Sequence, residues 1–211
     1  MTTSRVGAGP VERAAWYETL AALFRPPSDV TITTLESAAK NLSCGGDKAT
    51  AELLQVLSDR AREHGLEGLL REHARLFVGA GMCRANEVDY EPLSFSMTEK
   101  LADVAGFYEA WGYEITPGIG QRGDFVGIEL EFAGLLLLKQ AYAEGNGWRD
   151  QSDIAAEAAR KFISAHVASW IPVLCERIHT ITEEEGIMGA GGPVLGAFMK
   201  SEAALNSREE E

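Results

Sequence analysis

The chain has 211 residues, 45% of them hydrophobic, and a formal net charge of −13. That length and composition fit one globular domain with a sizeable core and exclude a disordered chain. The acidic balance argues against nucleic acid or an anionic membrane surface as partner and favours a basic one.

Residues 1–9 read as a disordered N-terminus that lacks the apolar stretch of a secretory signal. Pro10 suits the first turn of a helix carrying Val11, Ala14, Ala15, Trp16, Leu20 and Leu23, which Arg25-Pro26-Pro27 stops. Thr31 to Leu42 predicts a second helix ended near Gly45-Gly46, although Val30 to Thr33 also has strand character. Asp47 can cap a third, with Leu53, Leu54, Val56 and Leu57 inward. Gly65 separates it from a fourth, with Leu66, Leu69, Leu70, His73, Leu76 and Phe77 on its inner side. Val78 to Phe95 is the longest irregular stretch, and a loop of that length in a helical domain is usually functional or disordered. Ser96-Met97-Thr98-Glu99 is a capping box. It opens a helix with Leu101, Val104, Ala105, Tyr108 and Trp111 on one face, and Gly112 closes it.

After a glycine-rich loop from Tyr113 to Gly123, Arg122 to Tyr142 reads as one helix with Asp124 capping its start. Phe125, Ile128, Phe132 and Leu135 form one stripe, and Val126, Leu130, Ala133 and Leu137 form a second. A helix apolar on nearly every side is buried among others. Its apolar run, Phe132 to Leu138, is too short for the ~20 residues a bilayer span needs. Glu129 and Glu131 interrupt the apolar surface, so they must either reach solvent or face a groove that expects a cation. A long helical pattern from about Ser152 to Thr180 contains Pro172, which should kink or split it. A last short helix, Pro193 to Leu205, precedes an acidic frayed tail at 206–211. The whole reads as an all-α single-domain bundle of about seven to nine helices over residues 10–205.

Cys44, Cys83 and Cys175 are scattered and form no CxxC pair, which suits a reducing compartment and, with no export signal, the cytoplasm. His64, His73, His166 and His179 match no metal motif, and His166 with Trp170 reads as an i, i+4 packing pair. Cys83 lies among acids with no histidine close in sequence to orient it. The glycine clusters match no phosphate loop, and Glu129 and Glu131 point to different sides of their helix. No coherent catalytic set emerges, so the expectation is a non-enzymatic protein without metal or cofactor.

What remains is the acidic middle. Between Arg84 and Phe132 there are ten acids against three bases, interleaved with aromatics. Taken singly, Glu87, Asp89, Tyr90 and Glu91 read as a solvated loop, and Asp124 as a helix cap. Taken together they could line a groove for a peptide that is both basic and apolar, since carboxylates take arginine in bidentate fashion. The candidate peptide-binding residues are Glu87 together with Tyr90, Glu91, Asp124 and Glu129 at the arginine end, and Phe77 and Phe125 near the apolar end, with Glu87 assigned to neither end.

Several segments resemble the TorD/DmsD/NarJ family of molybdoenzyme chaperones. They are Glu72 to Gly81, Tyr90-Glu91 after its acidic loop, Met97 to Gly112, Arg122 to Phe132, and Phe162 through Trp170-Ile171-Pro172. Met97 to Gly112 is most similar to the branch serving type II dimethyl sulfoxide reductase-like enzymes, which act on dimethylsulfide, ethylbenzene, selenate or chlorate. Gly123 and Phe125 stand where that family usually has Pro and His, while Asp124 matches. The resemblance implies an all-helical cytoplasmic chaperone. Its partner would be a molybdopterin-containing catalytic subunit and the twin-arginine leader of that subunit, and the chaperone itself would be a monomer or a domain-swapped dimer. The rivals are a chaperone of a client that is not exported, and a small helical hydrolase using Glu129 or Cys83.

Overall fold

The computed structural model describes residues 9–42, 48–79, 81–90, 96–115 and 121–209, for 96 and 206–209 the backbone alone. Glu91, Asp47 and residues 1–8 therefore lie outside the described residues, as does the side chain of Ser96 in the expected capping box. Eight α-helices are described: α1 (Pro10–Phe24), α2 (Asp29–Asn41), α3 (Lys48–Phe77), α4 (Ser96–Trp111), α5 (Val126–Gly145), α6 (Arg149–Phe162), α7 (Ile171–Ile181) and α8 (Ile187–Glu209). There is no strand among the described residues, so the all-α reading holds.

Helices α1 and α5 form the central pair, because both are apolar around most of their circumference. They approach closely at Gly134, where a side chain would meet Tyr17 Cβ at 3.3 Å and the Ala14 carbonyl at 3.4 Å. Helix α6 covers α5, α2 and α8 flank α3, and α7 lies on α8. Phe132 sits at the middle of the core, fully buried, with Tyr108 at 4.7 Å and Phe162 at 4.6 Å in edge-on contact.

Local signals explain most element ends. Gly65 breaks α3 with φ 60° and ψ −177°, a conformation that costs a side-chain-bearing residue strain. It separates the two expected helices as a kink, not a loop. Leu54, Leu57, Leu69 and Leu76 are buried on its two halves, whereas Val56 and Leu70 face solvent, contrary to expectation. Gly112, at φ 64°, closes α4 as expected. Helix α2 starts at Asp29, and the side chains of Ser28 and Thr31 exchange hydrogen bonds with each other's backbone there. This cap decides for helix over the strand character of Val30 to Thr33.

The late helices divide near Pro172 as expected, while α8 starts and ends elsewhere than expected. The pattern from Ser152 to Thr180 is two helices, α6 and α7, joined by a π-turn at Ile163–Val167 and a turn at 168–170. Pro172 sits in the first turn of α7, where its missing N–H leaves no intrahelical bond unmade. Helix α8 begins at Ile187, ahead of Pro193, and its backbone continues to Glu209. Glu72 of α3 makes that early start possible, because its carboxylate accepts from the Ile187 and Met188 amides at 2.8 and 3.1 Å.

A second remote tie closes the other end of the bundle. Buried Glu202 of α8 accepts two hydrogen bonds from the Arg13 guanidinium, at 2.9 and 2.8 Å, and one from Tyr17 at 2.8 Å.

Candidate functional site

Three carboxylates are completely buried in one cluster: Glu87, Asp124 and Glu129. Burying so much acid requires donors, and the fold supplies them from four directions.

Glu87 lies in the 3₁₀ turn Glu87–Tyr90. Its Oε1 accepts from Lys100 of α4 at 2.8 Å, and its Oε2 meets His166 Nδ1 at 3.0 Å. The other imidazole nitrogen of His166, Nε2, lies 3.1 Å from Asp103 of α4, a largely exposed carboxylate. With a carboxylate at each nitrogen, the imidazole can donate on both sides only as a cation, or share a proton with one of its acids. The ring also packs against Phe162 at 5.1 Å and Phe107 at 5.7 Å. The packing reading of His166 is therefore half of its role.

Asp124 does not cap α5, whose N-cap residue is Phe125 without a side-chain cap bond. Its carboxylate instead accepts the Val88 amide at 3.2 Å and is gripped bidentately by Arg122 at 2.9 and 2.7 Å. The Asp124 carbonyl also takes the Glu87 amide at 2.9 Å, and Val126 donates to the Ala85 carbonyl at 2.9 Å. These backbone bonds form an isolated antiparallel bridge between Asn86 and Phe125.

Glu129 faces inward from the first turn of α5 and neither reaches solvent nor lines an open groove. Its Oε2 accepts from Trp170 Nε1 at 3.0 Å, while its Oε1 has no hydrogen-bond partner among the described residues. Burial, reinforced by the neighbouring Glu87 charge, pushes its carboxyl well above the ordinary carboxylate range. Trp170 shares its N–H with the His166 carbonyl at 2.6 Å. The π-turn thus delivers His166 and Trp170 to the same cluster. Glu131 behaves differently: it is partly exposed and pairs with Arg25 at 3.2 Å.

The remaining candidates sit at the periphery. Tyr90 is half-buried, stacks at a tilt on Trp170 at 5.2 Å, and donates to the Arg84 carbonyl at 2.6 Å. It lines a cleft of about 340 Å³ with Gly81, Met82, Arg84, Asp89 and Arg177. Phe77 lies apart, in contact with Phe24 at 5.5 Å and His73 at 5.6 Å. Phe125 is buried at the bridge, with its ring beside Gly127. The structure thus joins Glu87, Asp124 and Glu129 into one cluster flanked by Tyr90 and Phe125, and leaves Phe77 outside it. An open carboxylate-lined groove is not what these residues form: the three acids are internal and already engaged.

Sequence reasoning missed Lys100, Asp103, Arg122, His166 and Trp170 as members. The one available signal was the His166–Trp170 spacing together with the late Phe162-to-Pro172 segment.

Cys83 is buried away from any imidazole contact, and burial pushes its thiol up to about 11. No group of side chains suited to a metal occurs among the described residues. The profile of the nitrate reductase delta subunit family matches residues 40–176, well over half of the chain and every residue of the cluster. The chain belongs to that family. Nitrate reductase delta subunit proteins are assembly chaperones of molybdoenzymes and act on catalytic subunits without being enzymes themselves. No curated protein and no solved structure gives a significant match. No helix among the described residues is long and apolar enough to cross a membrane.

Proposed function

We propose that this delta-subunit relative is a cytoplasmic chaperone for one molybdopterin-containing catalytic subunit. It binds the client's twin-arginine leader and its apo form, and delays export until the cofactor is inserted. The observation that carries this reading is the family match over residues 40–176, a span that includes Glu87, Asp124, Glu129, His166 and Trp170. The chemistry agrees with it. A leader of two arginines followed by an apolar run suits an acidic chain whose buried carboxylates already accept guanidinium bidentately. The arginine end of the site lies at Asp124 and Tyr90, and Asp89 stands beside them. The similarity of Met97 to Gly112 supports a client of the type II dimethyl sulfoxide reductase-like group.

A second reading starts from the family description: the client is a nitrate-reductase-type subunit, in this case one that is not exported and carries no leader. One experiment separates them. Tagged wild type and a Tyr90→Ala/Asp124→Ala variant are used to capture partners from the native host, with mass spectrometry of the captured N-termini. Wild type should capture a molybdoenzyme catalytic subunit with its leader intact, and the variant should lose it. Capture of a leaderless catalytic subunit selects the second reading. Capture of no molybdoenzyme subunit overturns both.

A further inference from the structure

The Asp124 carboxylate has no exposed surface, while the Arg122 side chain gripping it is 45% exposed. The guanidinium is therefore what stands between solvent and the buried acid. The two sides of this pair differ in how firmly they are held. Asp124 is fixed by the backbone bridge to Glu87 and by its own bond from the Val88 amide. Tyr108 holds the preceding Gly123 carbonyl at 2.7 Å. Arg122 has only the two bonds to Asp124 among its described hydrogen bonds. The charge of Asp89 also acts on Arg122. Next to Asp124, Glu129 keeps one buried oxygen without a hydrogen-bond partner among the described residues.

We propose that Arg122 is an internal stand-in for a ligand arginine: it occupies Asp124 in the free chain, and an incoming guanidinium from a peptide binds by displacing it. The inference rests on the leader-binding reading and adds a gate to it. The ligand class is arginine and not lysine, because the planar fork fits the two carboxylate oxygens that Arg122 now fills and an ammonium cannot match both. A site occupied by its own side chain most of the time binds ligand more weakly by the fraction left open. A stand-in in place nine-tenths of the time therefore costs about tenfold in affinity.

The test uses the full chain and two fluorescent peptides, one with adjacent arginines before an apolar run, the other with adjacent lysines. Binding is measured for wild type, Arg122→Gln and Arg122→Lys, and thermal unfolding reports whether each variant is folded. Arg122→Gln should bind the arginine peptide about tenfold more tightly than wild type, with a smaller gain for the lysine peptide. Arg122→Lys keeps a cation at the buried acid and should fall between the two. It carries the test alone if Arg122→Gln does not fold. If wild type binds the arginine peptide and the folded variants bind it no more tightly, the stand-in is refuted while the leader-binding reading survives. Equal gains for both peptides also refute it, since general loosening would produce them. If no form binds either peptide, the gate and the leader-binding reading fall together.

Discussion

Replacing His166 with leucine tests whether the buried cluster holds α4 and the 3₁₀ turn to the bundle. Leucine keeps an apolar body beside Phe162 and Phe107 but removes the donor that faces Glu87 at 3.0 Å. Glu87 has no exposure and would keep Lys100 as its only charged partner. Breaking one arm of a buried pair in this way costs about 3 kcal/mol, most of it the penalty of the carboxylate left behind. The Asp103 arm adds little, about 0–1 kcal/mol, because that carboxylate is 62% exposed. For a chain of this size the total, about 3–4 kcal/mol, corresponds to a fall in Tm of roughly 6–16 °C. Urea unfolding of wild type, His166→Leu, Glu87→Gln and the double variant would measure it. Once Glu87 is neutral, the histidine replacement should cost about 1.5–3 kcal/mol less than it does alone. A cost below about 1 kcal/mol for His166→Leu, with no coupling to Glu87, would refute the claim that the buried acid depends on the imidazole beside it.

Three further outcomes follow from the same geometry. Because Glu129 is held above its ordinary value of 4.5, the folded chain binds a proton there that the unfolded chain has released. The stability it contributes is complete below that value and is lost as pH rises through the folded one. Glu129→Gln keeps an acceptor for Trp170 and should flatten the decline of Tm above about pH 4.5; superimposable Tm–pH profiles would exclude this. Phe132→Ala empties the ring cluster at the core centre and should cost about 3–5 kcal/mol by chemical denaturation, and a loss under 1 kcal/mol would mean the core repacks around it. Cys83, buried with its thiol near 11, should react with a maleimide at pH 7 far more slowly than free cysteine does, and labelling at the free rate would contradict the placement.

The helical scaffold was largely legible because its signals are local. Gly65 and Gly112 act within a few residues, and the two apolar stripes of α5 needed no partner to be read. The site was legible only as a list of acids. Whether Asp124 caps a helix or grips an arginine depends on where Val88 and Arg122 lie, and neither position follows from periodicity. The donors to Glu87 come from 13 and 79 residues away, and the three bonds that bury Glu202 span 185 residues or more. Contacts of that range leave no pattern in a single sequence. His166 shows the limit most sharply: its spacing to Trp170 revealed a shared face, and only the fold reveals that the face is lined with carboxylates.

The Asn86–Phe125 bridge makes the segment between them a closed loop, with α4 strung inside it. Its two ends are stitched by backbone bonds to the first turn of α5, so a pull on α4 does not pass along the chain into the α1–α5 core. The load falls on Lys100, Asp103 and the aromatic pair Phe107 and Tyr108, the side chains by which α4 is moored.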